Sequence, residues 1–201
     1  MDVRSFKYAK VIAVGLASLF VVGMAISLIP ALRFVGCIYI YRLLMYLSFV
    51  TFFVLLFIDS AKTSPLRSPA MVSVIGFFLM ALYVFLYWTE ISKGLFADWH
   101  ERISYVASII AFLWLCKFFR KGSRVKYAAI AVGAILLLTL IVDVTAIELL
   151  INAIKDYANK GKDMENALNT YTALLQIGNY SKVSLALVSA WFMYEYSSIK
   201  K

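Results

Sequence analysis

Six stretches of this sequence are apolar over lengths near those needed to cross a bilayer, and little of the chain lies outside them. A helix needs about 20 apolar residues to traverse about 30 Å of hydrocarbon. In a chain of 201 residues, six such stretches leave no room for a separate soluble catalytic domain. Hydrophobic residues make up 63% of the chain and charged residues 15%, with a mean hydropathy of +0.85. That balance belongs to membrane proteins rather than soluble domains. Any chemistry must therefore sit within the bundle or its short connections.

The spans read as 11–32, 35–58, 71–88, 103–119, 127–147 and 183–196. Arg4, Lys7 and Lys10 precede the first, whose apolar run continues too far for a signal-peptide core and meets Pro30 and Arg33. It therefore reads as a retained span and not a signal peptide. Pro65 and Pro69 mark a loop before the third, and the run Lys117-Phe118-Phe119-Arg120-Lys121 closes the fourth. The fold class is all-α: a polytopic integral membrane bundle of six transmembrane helices forming one domain.

Lys and Arg collect on the cytoplasmic side of membrane proteins. With the N-terminus inside, the inner segments hold twelve of the twenty basic residues and only Asp2, Asp59 and Glu195 among the acids, leaving the outer half neutral. Both termini are expected in the cytoplasm of a multi-pass cell-membrane protein. The rings of Tyr39, Tyr41, Tyr87, Trp88, Trp99 and Tyr105 would mark the outer interface, and Tyr8, Tyr127, Tyr194 and Tyr196 the inner one. Anionic lipid is the expected partner of the basic face. No inner loop is long enough for a nucleic-acid module.

Residues 148–182 are not loop-like. Ile147, Leu150, Ile151, Ile154 and Tyr157 recur at helical spacing, as do Met164, Leu168, Tyr171 and Leu175. Gly161 reads as a helix terminator and Asp163 as an N-cap between them. The expectation is an extracytoplasmic helical hairpin between helices five and six. Its apolar stripes face each other or dock a partner subunit.

Cys37 and Cys116 fall at opposite ends of the bundle and cannot form a disulfide in this topology. His100 is the only histidine, so a histidine-rich metal site or bis-histidine haem is excluded within one chain. Asp98, His100 and Glu101 form a weak polar cluster at the outer boundary. No nucleophile elbow, zinc-protease, P-loop or dinucleotide motif occurs, so neither catalytic residues nor cofactors are expected. Asn179-Tyr180-Ser181 matches a glycosylation acceptor by chance spacing. Charges within spans cost several kcal/mol if unpaired in lipid, which singles out Arg42 in helix two and Asp143 in helix five. Their depths match closely enough for a buried pair, structural or part of a polar site in the outer half of the bundle.

Small residues at four-residue spacing, Ala9, Ala13 and Ala17, Ala129 and Gly133, Ala186 and Ala190, favour close helix contacts within the chain or between subunits. The leading functional expectation is a non-catalytic subunit of a larger membrane complex, with other integral membrane subunits as partners. The alternative is a small-solute or ion transporter, or its substrate-binding membrane component. In size and span count alone the chain resembles the substrate-binding components of energy-coupling-factor vitamin transporters, and the Ala13–Ala17 spacing is compatible with how such components are said to dock.

Overall fold

In hydrocarbon every backbone N–H and C=O must be satisfied within its own segment, which makes a helix the outcome for long apolar runs. Among the described residues the computed structural model is all-helical: α1 (Arg4–Leu28), α2 (Cys37–Asp59), α3 (Arg67–Trp88), α4 (Leu95–Cys116), α5 (Arg124–Lys160) and α6 (Glu165–Ser197). It describes residues 4–28, 37–89, 95–160 and 165–199, with side chains from 7–28, 37–89, 102–155 and 165–199. Among the described residues, four helices, α1, α2, α3 and α5, are long and apolar enough to cross a membrane, and Arg102–Cys116 of α4 is a shorter apolar segment. α6 carries Lys182, Glu195 and several amides among its apolar residues.

Each helix packs on the next in chain order, and α6 returns to pack on α1, closing a ring. The longest elements are α5, with 37 residues, and α6, with 33. At 1.5 Å per residue they measure about 55 Å and 50 Å, against about 33 Å for the 22 residues of α4. The α5–α6 pair therefore outreaches α4 by about 20 Å. Gly161 and Asp163, read above as stop and cap, lie outside the described residues.

Several boundaries move for identifiable reasons. α3 starts at Arg67, so Pro69 lies in its first turn and does not precede the helix. That position needs no intrahelical donor, which is why proline is tolerated there. α4 begins at Leu95 and ends at Cys116, where N–H groups of Lys117 and Phe118 donate to the Trp114 and Leu115 carbonyls at 3.1 and 3.0 Å. Positions 98, 100 and 101 thus fall in its first turns; the side chains of Asp98, His100 and Glu101 lie outside the described set.

The core is aromatic. Phe77 stacks on Phe49 with ring centroids 4.2 Å apart, and Phe112 meets Phe49, Phe53 and Phe77 edge-on. Phe52, Phe192 and Tyr196 extend the cluster towards the α6 C-terminus. Tyr41, Tyr105 and Tyr196, expected at the interfaces, are buried here. Tyr46 and Tyr105 share a hydrogen bond at 3.1 Å, so these phenols find partners inside the bundle. Tyr8, Tyr87, Trp88, Tyr127 and Tyr194 remain exposed, as membrane-interface rings would be; Trp99 lies outside the described side chains.

Small residues bring the helices together. Ala9 and Ala13 on α1, Ala129 and Gly133 on α5, and Ala186 and Ala190 on α6 are buried within the chain, with Ala17 partly so. Gly76 is where the close approach is tightest. A Cβ there would stand 2.5 Å from Ser108 Oγ and 3.3 Å from the Ser108 backbone nitrogen.

The outward faces are as apolar as the inward ones. Val11, Val14 and Val21 on α1, Met71, Ile75 and Phe78 on α3, and Ile103, Ile110 and Leu113 on α4 are all exposed. A water-facing surface does not sustain apolar patches this extensive. Together with the four spanning-length helices, they mark a protein made to be embedded in a membrane.

A charged and tyrosine-lined cavity

The start of α2, the end of α3 and the middle of α5 and α6 enclose a cavity of about 400 Å³. α2 contributes Tyr39 and Arg42, and α3 contributes Tyr83, Val84 and Tyr87. From α5 come Asp143, Ala146, Ile147 and Leu150; from α6, Tyr171, Leu175, Asn179 and Lys182. The volume falls in the range of small-molecule sites, and the wall is mixed, with charged, amide and phenol groups beside aliphatic ones.

Arg42 and Asp143, singled out in the sequence, both line this cavity. The structure embeds them in a larger set. Lys182 Nζ lies 2.8 Å from Asp143 Oδ2, with side chains 9% and 19% exposed, respectively. Arg42 Nη2 donates to Asn179 Oδ1 at 2.7 Å. The expected single pair is thus a constellation of four side chains from α2, α5 and α6. α5 and α6 form the most extensive interface in the bundle, so a carboxylate on α5 meets a cation on α6. Gly178 assists: a Cβ there would come within 3.2 Å of Asp143 Oδ1, so its absence lets the carboxylate lie against the α6 backbone.

Lys182 and Asn179 were legible in principle. Leu175, Asn179, Lys182, Ala186 and Ala190 fall at three- and four-residue intervals, tracing one face of a helix. Starting the sixth span at 183 assigned Lys182 to the extracytoplasmic hairpin and hid that face. Asn179 also drops out as a glycosylation acceptor, because its side chain is half-buried and holds Arg42.

The cavity has an aromatic wall and a floor. Tyr39 and Tyr87 lie 5.6 Å apart between centroids, and Tyr83 and Tyr87 lie 6.0 Å apart. One turn deeper on α2, Met45 and Tyr46 are buried, followed by Phe49, Phe52 and Phe53. The Thr139 and Ser181 hydroxyls share a hydrogen bond at 2.9 Å between α5 and α6. The floor is therefore closely packed, and the cavity is a cup.

Among the described residues no three His, Cys, Asp or Glu side chains cluster as metal ligands. Cys37 and Cys116 are both free, the first exposed and the second buried.

No family model, curated protein or solved structure matches the chain.

Proposed function

We propose that this protein is a six-span membrane protein that binds a small polar solute in the cup between α2, α3, α5 and α6. It would act as a small transporter or as the solute-binding component of one. The observation that carries the reading is the cup itself. Two cations, a carboxylate, an amide and four tyrosines converge on one cavity above a closed aromatic floor. Buried charge is costly to keep in a membrane interior. A set that served helix packing alone would not require a cavity of about 400 Å³ beside it. The charged and amide groups would fix a polar or zwitterionic solute, and the phenol rings would cover its apolar part.

Among the described residues, four helices meet the length and apolarity needed for spanning. The six-span reading adds α4 and α6 because they complete the same ring, and the polar side chains Lys182 and Ser189 of α6 are buried. The surplus of basic residues at the end holding Lys62, Lys117, Arg120, Lys121 and Arg124 argues for cytoplasmic termini. The cup would then open outward in the cell membrane, with the projecting α5–α6 pair as one wall.

The experiment is ligand-dependent thermal stabilisation of the purified protein against a panel of small amino-acid-like, carboxylate and amine solutes. A true ligand at 100 times its Kd stabilises by about 2.7 kcal/mol. Leu175→Trp, which fills the mouth without touching Lys182 or Asp143, should abolish that gain. A shift that survives Leu175→Trp would place binding elsewhere, and no shift across the panel would sink the reading.

The reading as a subunit of a larger complex keeps one specific support. Ile151, Ile154 and Leu168 on the projecting pair are exposed, which suits a partner. The two readings are compatible, since a solute-binding component can itself be a subunit.

A further inference from the structure

We propose that the opposite end of the bundle holds a specific site for one anionic phospholipid. A groove of about 540 Å³ opens there between the α2–α3 connection, the α4–α5 turn and the end of α6. Leu66, Phe118, Phe119, Val125, Tyr196 and Ile199 give it an apolar lining, and Arg120 and Arg124 contribute two guanidinium groups. Phe118 and Ile199 are each 38% exposed, as is Trp114 on the last turn of α4. The groove therefore runs into the outward apolar surface of the bundle, and an acyl chain can enter it without leaving hydrocarbon.

The polar rim selects the headgroup. A tight turn holds the two arginines, with Gly122 at φ 81° and Ser123 donating from both N–H and Oγ to the Arg120 carbonyl at 3.1 and 2.7 Å. Arg120 thereby closes the turn from which Arg124 starts α5. Guanidinium groups match phosphate oxygens in paired hydrogen bonds, which an ammonium cannot do. The carboxylate in the lining, Glu195, accepts from Trp191 Nε1 at 3.3 Å and is turned along α6. Lys117, Lys121 and Lys126 flank the same turn, so the local field favours a negative headgroup. A neutral phospholipid, a second copy of this +9 chain or a basic peptide lacks that complementarity.

The site rests on membrane embedding and not on the solute cup, so either can fail without the other. The test is native mass spectrometry of the full chain from nanodiscs of mixed phosphatidylglycerol and phosphatidylcholine. One phosphatidylglycerol per chain should be retained. Arg120→Gln/Arg124→Gln should weaken retention about thirty-fold, a factor of roughly five per arginine. Lys7→Gln/Lys10→Gln, which removes equal charge from α1 at the same end, should leave it within about twofold. Equal loss in both variants would reduce the site to general attraction, and equal retention of phosphatidylcholine would remove the headgroup claim; either overturns it. Recovery of a bound polypeptide in the groove would do the same. Unchanged helical circular dichroism and melting qualify the arginine variant as folded. If it does not fold, Arg120→Lys/Arg124→Lys replaces it: the charge stays, the paired hydrogen bonds go, and unchanged retention overturns the proposal.

Discussion

Lys182 Nζ lies 2.8 Å from Asp143 Oδ2, and its side chain is only 9% exposed. Removing one partner of such a pair costs far more than removing both, because the survivor stays charged without compensation. Asp143→Ala should therefore destabilise the protein by about 3–5 kcal/mol, while Asp143→Leu/Lys182→Met recovers most of that. A double-mutant cycle on thermal unfolding in detergent measures the coupling, and additive single effects would count against the pair. Gly76 gives a second residue-level expectation. Its Cβ in Gly76→Ala would press on the Ser108 backbone at 3.3 Å as well as on Oγ at 2.5 Å. The side chain can rotate away but the backbone of α4 cannot, so the loss should be about 1–3 kcal/mol, and Ser108→Ala should relieve only part of it. Arg42 and Asp143 were visible in sequence because charge in an apolar run is conspicuous. Asn179 and Lys182 were not, because their helix starts in a polar stretch where no burial pattern stands out until the whole face is traced.

At the scale of elements, all six helices were readable from the apolar runs, and the errors lie at their ends. Hydropathy reports where a segment becomes polar, whereas a helix continues while its backbone bonds are satisfied. That is why α5 and α6 reach to Lys160 and back to Glu165, past the apolar limits at 147 and 183. The expectation that their far ends stand in water has a direct test in two exposed positions on α5. Ile141 and Ile154 are 53% and 51% exposed, so sequence hydrophobicity and exposure do not distinguish them. In a bilayer, Ile141→Lys should cost about 2–3 kcal/mol, as a cation well within the hydrocarbon does. Ile154→Lys should stay within about 0.5 kcal/mol if it faces water. Comparable large losses at both positions, in lipid-reconstituted protein, would put the α5–α6 pair in the membrane along its length. Accessibility labelling of cysteines placed at Ser123 and Lys155 checks orientation independently: only Lys155 should react from outside.

For the whole molecule, the closed ring and its filled centre determine what kind of passage the protein permits. Met45 and Phe49 of α2, Phe77 of α3, Phe112 of α4 and Phe192 of α6 are all within 1% of complete burial. The stacked and edge-on rings pack α2, α3, α4 and α6 against one another, and rings offer an ion little in place of its hydration shell. An ion crossing such a layer would forfeit its water with nothing in return, a barrier of the same origin as the cost of charge in lipid. The protein reconstituted alone into liposomes should therefore show no steady ion conductance. Under the proposed solute-binding reading, any transport would need the helices around the aromatic layer to part. Phe49→Ala/Phe77→Ala removes the most closely stacked pair, whose centroids are 4.2 Å apart. Each truncation should cost about 3–5 kcal/mol of stability. If the variant folds, water can enter the space left, and a measurable leak should appear where the native chain shows none. Single-channel currents from the native protein would mean that the floor opens spontaneously and that the molecule is a channel; silence in the native chain with leak in the variant is the behaviour of a solute cup sealed on one side.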